Sequence, residues 1–189
     1  SSGVNIIYSN KWSFAGLKSD GSVVTWGESS IGGDSSSVSS ELSSGVIKIY
    51  STERAFAALK SDGSVVTWGA SSYGGDSSSV SSDLSSGVIE IFPNNYAFAA
   101  LKSDGSVVTW GDSSYGGDSS SVSSELSSGV AEIYSTGGAF AVVKSDGSVV
   151  TWGFSAYGGD SSSVSSEFSS GIISFSASFM GFVVIVEIA

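Results

Sequence analysis

The nine residues SDGSVVTWG at 19–27 recur unaltered at 61–69, 103–111 and 145–153. The tryptophans inside them, Trp26, Trp68, Trp110 and Trp152, stand 42 residues apart, with no insertion or deletion between copies. A fixed period of this size marks a solenoid, propeller or array in which each unit meets its neighbours with one geometry. It divides the chain into units 1–42, 43–84, 85–126 and 127–168 and a terminal half unit, 169–189, read together as one repeat domain over 1–189.

Three strands are predicted inside a unit. In the second unit they are GVIKIYS at 45–51, AFAALK at 55–60 and SVVTWG at 64–69. β-Branched and aromatic residues fill them and turn residues bound them. Simple alternation along the first strand puts Val46, Lys48 and Tyr50 on one face and Ile47 and Ile49 on the other. Between the second and third strands stands Asp62-Gly63, with equivalents Asp20-Gly21, Asp104-Gly105 and Asp146-Gly147. Asp-Gly is the strongest short hairpin signal and is expected to form a two-residue type I′ turn here. The four repeat tryptophans, each following a Val-Val pair, are assigned to the core.

The rest of the unit, SSYGGDSSSVSSELSSG in the third, reads as a long polar loop pinned by one valine and one leucine, Val80 and Leu84 in the second. Its SSVSSEL stretch has the makings of one serine-capped helical turn and is read as loop. The connection between the first two strands varies most, as STER, PNNY and STGG at 51–54, 93–96 and 135–138, and is expected to be exposed. In the half unit the turn is gone and FVVIVEI reads as a strand buried on both faces, sealing an end or pairing with another chain.

Composition removes several functions. The chain has no cysteine and no histidine, so disulfides, thiolate metal sites and the commonest general base and metal ligand are absent. A net charge of −11, from 18 acidic and 7 basic side chains, argues against nucleic acid, whose phosphates need Lys and Arg, and against anionic membranes. No apolar run has the length of a membrane helix. No phosphate loop, paired carboxylates or triad appears, so the expectation is no enzyme and no cofactor. The first residue is Ser1 rather than Met, so a processed chain or a segment of a longer one is expected. Asp34, Asp76, Asp118 and Asp160 recur in GGDSSS. They are weak metal candidates, since carboxylates suit Ca²⁺, against the commoner use of Asp in a turn.

The segment AFAALKSDGSVVTWGDSSYGG at 97–117 resembles a repeat of the RCC1, or regulator-of-chromosome-condensation, type. In the second unit the matching residues are Leu59, Asp62, Gly63, Trp68, Gly69, Tyr73 and Gly74, and the resemblance covers all four units and the half unit. It implies blades of antiparallel strands around an axis. The family's nucleotide-exchange activity is not carried over, because no residues for it are identifiable. The expected fold class is all-β: tandem 42-residue repeats of three antiparallel strands plus a long polar loop, β-propeller-like, with an open β-solenoid or stacked array as the alternative. Serine-rich repeats of this kind are similar to those of very large bacterial surface proteins. The expected function is that of a non-enzymatic extracellular or cell-surface structural or adhesive protein. It would associate with itself through its terminal strands into a filament or surface layer. The alternative is a multivalent carbohydrate-binding propeller module, with the tryptophans as sugar platforms and glycans as partners.

Overall fold

The structure, a computed structural model, describes residues 3–166, 168, 172–178 and 181–186. It is all-β. The first unit contributes β1 (Val4–Ser9), β2 (Ser13–Lys18) and β3 (Val23–Gly27). The second contributes β4 (Val46–Ser51), β5 (Ala55–Lys60) and β6 (Val65–Gly69). The third contributes β7 (Val88–Pro93), β8 (Ala97–Lys102) and β9 (Val107–Gly111). The fourth contributes β10 (Val130–Ser135), β11 (Ala139–Lys144) and β12 (Val149–Gly153). The half unit contributes β13 (Ile172–Ser178) and β14 (Gly181–Val186). Each set is an antiparallel sheet in sequence order, the last with two strands. First strands of successive sheets, β1, β4, β7, β10 and β13, lie beside one another. Among the described residues no hydrogen-bonded pairing joins the last sheet to the first, so the array is open.

The core lies between sheets, and the middle strand shows why AFAALK suits its place. Ala55, Phe56, Ala57, Ala58 and Leu59 are all buried, so neither face of β5 meets water. Alternation sends Ala55, Ala57 and Leu59 into a cluster with Ile91, Phe98 and Trp110 of the next unit. Phe56 and Ala58 point the other way and join Ala15 and Leu17 of the preceding one. The alanines let adjacent sheets approach while one phenylalanine per strand fills the gap. Full burial of such a ring contributes roughly 1.5–3 kcal/mol.

The first strands depart from plain alternation. Register shifts between Val46 and Lys48, leaving Ile47 as an extra residue in a β-bulge. Val46 and Ile49 therefore both face the core, while Ile47 is 55% exposed. The same shift recurs between Val4 and Ile6, Val88 and Glu90, and Val130 and Glu132.

The hairpin turn is also not type I′. Leu59 pairs with Val65, and Lys60 donates its N–H to the Ser64 carbonyl, which leaves three loop residues, 61–63. The Gly63 N–H donates to the Lys60 carbonyl at 3.0 Å. Asp62 keeps a negative φ and only Gly63 is left-handed, at φ 78°. This is a type I turn closed by a glycine bulge, the geometry an odd loop length selects.

The polar loop is not irregular. It makes short 3-10 turns, at Ser71–Tyr73 and Ser78–Val80 in the second unit and at Ser113–Tyr115, Ser120–Val122 and Glu125–Ser127 in the third. The SSVSSEL stretch read as loop is thus locally helical, although no serine side chain caps it. The loop folds back over the outer strand: Thr67 Oγ1 donates to the Gly75 carbonyl and meets Ser77 Oγ at 3.0 Å, and the Val65 N–H reaches the Leu84 carbonyl at 3.0 Å. Leu84 is buried and Val80 partly so. A loop over a sheet edge removes a template for unwanted pairing. It stands where a typical propeller blade has a fourth strand. Among the described residues no helix is long and apolar enough to cross a membrane.

Candidate functional site

The carboxylates proposed as metal ligands are engaged singly. Asp34, Asp76, Asp118 and Asp160 each accept, through Oδ1, the backbone N–H of the serine two residues on, at 2.8 to 2.9 Å. Each pKa is held below the ordinary 3.8, first by that amide and then by the serine hydroxyl. Among the described residues no group of three or more acidic side chains converges on a point that could hold an ion. The Asp-Gly residues occupy the hairpin loops. Asp62 Oδ1 accepts from the Ser64 N–H at 2.9 Å and from its hydroxyl at 2.6 Å, with matching bonds at Asp104 and Asp146 and at Asp20. These turns also reach outward. The carbonyls of Gly21, Gly63 and Gly105 each accept the N–H of the next unit's first strand, from Val46, Val88 and Val130, all at 3.0 Å. The glycine of the fourth turn is Gly147, at φ 84°.

The tryptophans define the junction between units. Trp68, Trp110 and Trp152 are buried, each stacked on the phenylalanine paired with it across the hairpin, with centroids 5.1 to 5.3 Å apart. Their indole N–H groups donate to the carbonyls of Gly32, Gly74 and Gly116 in the preceding unit, each at 3.0 Å. The same glycines lie flat on the next unit's ring: a Cβ on Gly74 would fall 2.6 Å from the Phe98 ring, and Gly74 itself is left-handed at φ 89°. The first, second and third units thus each lend a Gly-Gly turn that closes over the Phe–Trp pair of the unit after it.

Trp26 departs from its assignment to the core. It is 42% exposed, as is its stacking partner Phe14, whereas Phe56 and Trp68 in the second unit are 0% and 2% exposed. The residues are the same; what differs is that no Gly-Gly turn lies over them. Val4 and Ile7, whose equivalents Val46 and Ile49 are buried, extend this exposed apolar end.

The variable connection, expected to be exposed, holds a buried anchor. Thr52, Asn94 and Thr136 are 4–6% exposed. Asn94 Oδ1 accepts from the Ala97 N–H at 2.7 Å while its Nδ2 donates to the Tyr115 carbonyl at 2.7 Å. Thr52 and Thr136 do both with one hydroxyl, and Asn10 repeats the pattern in the first unit. The position needs one acceptor and one donor, and two unlike side chains supply them. Its only signal in the sequence is that Asn and Thr alternate at a 42-residue spacing inside segments that otherwise differ.

A row of rings crossing the units also escaped the sequence reading. Tyr73 lies 5.4 Å from Tyr96, Tyr96 stacks on Tyr115 at 4.1 Å, and Phe154 continues the row at 5.3 Å. The Arg54 guanidinium sits between Trp12 and Tyr73, 5.2 and 4.9 Å from their centroids, within cation–π range. An open groove of about 720 Å³ runs along β9 between the serine loops of the second and third units. Its carboxylates include Asp76, Asp104 and Asp118, already engaged as turn and cap acceptors.

No family model matches the chain, and no curated protein matches it in sequence. Solved structures do match. Prp20p from Saccharomyces cerevisiae aligns at 15% identity and a TM-score of 0.55, over 82% of this chain and 45% of that one. Yeast RCC1 (Prp20), in the structure with Kap60 bound, aligns at 15% and 0.57, over 97% and 54%. The ectodomain of the Physcomitrella patens receptor kinase CR4 aligns at 14% and 0.53, over 94% and 46%. The chain spans about half the length of the solved chains it matches. At such identities the likeness is one of fold.

Proposed function

We propose, for a chain built of RCC1-like β-propeller repeats, a non-enzymatic structural or adhesive role outside the cell, as a rigid array that associates with copies of itself through its terminal strands into a filament or surface layer. The observation that carries the reading is the apolar end of the first unit. Phe14 and Trp26 are each 42% exposed there, on the face that the second, third and fourth units keep covered. At the other end, among the described residues, the terminal sheet pairs two strands where the others pair three. Open edges and end faces are where strand-built proteins meet other chains. Bacterial surface proteins of the repeat type supply the context proposed for such an array.

The carbohydrate-binding alternative has less to stand on. Trp68, Trp110 and Trp152 are 2–3% exposed, so their faces are closed to a sugar ring. The tyrosine faces in the row are largely spent on one another. Electron microscopy with light scattering tests the proposal on the whole chain. Filaments or ordered polymers are expected. Particles that stay at the 19.0 kDa of one chain at all concentrations would overturn it.

A further inference from the structure

Three junctions between full units repeat one set of bonds, and each has two halves. One half is a Phe–Trp pair; the other is a left-handed glycine turn in the unit before it. The chain also holds one further copy of each half that, among the described residues, no tryptophan-to-glycine bond of this kind joins. The Phe14–Trp26 pair has no turn over it. The fourth turn, Ser155–Tyr157 closed by Gly158 at φ 95° and ψ 9°, has the shape of the third, where Gly116 stands at φ 95° and ψ 8°. Its glycine differs from the others in one respect: Gly32, Gly74 and Gly116 are buried, whereas Gly158 is partly exposed. Among the described residues, which include all five tryptophans, no indole N–H reaches the Gly158 carbonyl.

We propose that these halves complete each other between two copies of the chain: the first unit of one copy seats on the fourth turn of another, with Trp26 donating to Gly158. In that position β1 takes the place beside β10 that β13 holds in the single chain, and the terminal half unit acts as a displaceable cover. The occupant is a second copy because the surface it must match is one this chain already builds three times. The contact is heterologous, with a different surface on each copy, and one such contact repeated makes an open filament rather than a closed dimer. This junction rests on the self-association proposed above and gives it a geometry.

Three variants, two at Trp26 and one at Gly158, separate the halves. Trp26→Phe keeps an aromatic ring and removes the indole N–H; Trp26→Ala removes the ring as well. Gly158→Ala puts a Cβ on a left-handed residue, strained for any L side chain. Full-length proteins would be followed by sedimentation velocity against concentration, with circular dichroism confirming the fold. Wild type is expected to form a ladder of oligomers. Either Trp26→Ala or Gly158→Ala alone should raise the concentration for half-assembly by about tenfold or more, as losing an anchor residue does at protein interfaces. An equimolar mixture of the two should stop at dimers of twice 19.0 kDa, because each variant keeps one sound half. Trp26→Phe should fall between wild type and Trp26→Ala. Oligomers that persist unchanged in Trp26→Ala and in Gly158→Ala, or a mixture that makes no dimer, would overturn the junction and leave self-association standing by another route. A wild type that never assembles would overturn both.

Discussion

At the scale of single residues, the repeated phrase SDGSVVTWG is fixed at both ends by neighbours. Gly63 holds the turn and gives its carbonyl to the next unit, while Trp68 reaches back to the unit before. Identical letters therefore have unequal weight by position in the array. Trp110→Ala should cost about 3–5 kcal/mol, the scale of a large ring deleted from a closed core. Trp26→Ala should cost only about 1–2 kcal/mol, since much of its surface already meets water. Urea unfolding of the two variants checks this, and equal losses would mean that the first unit is covered in solution. The turn carboxyls give a second test. The Ser64 hydroxyl and then its amide hold the Asp62 pKa below 3.8, with the same causes at Asp104 and Asp146. A carboxyl that binds its proton less readily when folded stabilises fully above its unfolded pKa, and that stability is lost as pH falls through the folded value. Stability should thus be flat across neutral pH and decline only below about pH 4. Ser64→Ala should move the Asp62 titration up towards 3.8 by NMR. Tyr134, whose hydroxyl donates to the Glu132 carboxylate, has its pKa pushed up to about 12, first by that bond and then by burial, and Glu132→Gln should move one tyrosine down towards the ordinary 10 in a spectrophotometric titration.

At the scale of elements, the serine loop is a clasp on the outer strand rather than a tether. Thr109 Oγ1 donates to the Gly117 carbonyl and meets Ser119 Oγ at 2.9 Å. Thr109→Val keeps the shape and removes the hydroxyl, and should cost about 1–2 kcal/mol, with faster hydrogen exchange confined to the third unit's loop. Exchange unchanged in that loop would mean that the backbone bonds alone hold it. Strand positions were legible in the sequence because β-branched runs between turn residues leave few alternatives. The bulge was not, because Val46 and Ile49 fit a plain strand with one side chain on each face; only the register with β5 shows both inward. The turn type was misread for a related reason: Asp-Gly serves both a two-residue and a three-residue loop, and the pairing of Leu59 with Val65 decides between them. The anchors at Thr52, Asn94 and Thr136 stay hidden in the sequence because two unlike side chains meet one hydrogen-bonding need, and variation of that kind reads as exposure. The exposure of Trp26 belongs to no local pattern, as it depends on what lies beside the unit.

At the scale of the whole molecule, cohesion comes from repeated nearest-neighbour junctions. Backbone bonds run from Lys11 to Glu53, Glu53 to Asn95 and Asn95 to Gly137, and ion pairs join Lys11 to Glu53 and Lys48 to Glu90 across one unit spacing. Stability of this kind adds along the array, so end units open first and central ones last. Assembly works against a charge of −11 on every copy. Raising ionic strength from 0.01 to 0.15 M shortens the screening length from about 30 to about 8 Å and should promote association. Sedimentation at the two salts reads this directly; weaker association at high salt would point to a junction made of ion pairs.

The three-residue hairpin loop has a last consequence, for how the chain finds its fold. The outer strands β3, β6, β9 and β12 share one sequence, VVTWG, so their letters cannot tell a middle strand which of them is its own. What discriminates is tethering. A loop of three residues brings the correct strand to its partner at a far higher effective concentration than a copy 42 residues away, or one on another molecule. Fidelity here is kinetic and geometric rather than encoded in the pairing surfaces. It should erode when many chains fold together, leaving hairpins exchanged between molecules at high protein concentration and correctly paired ones at low.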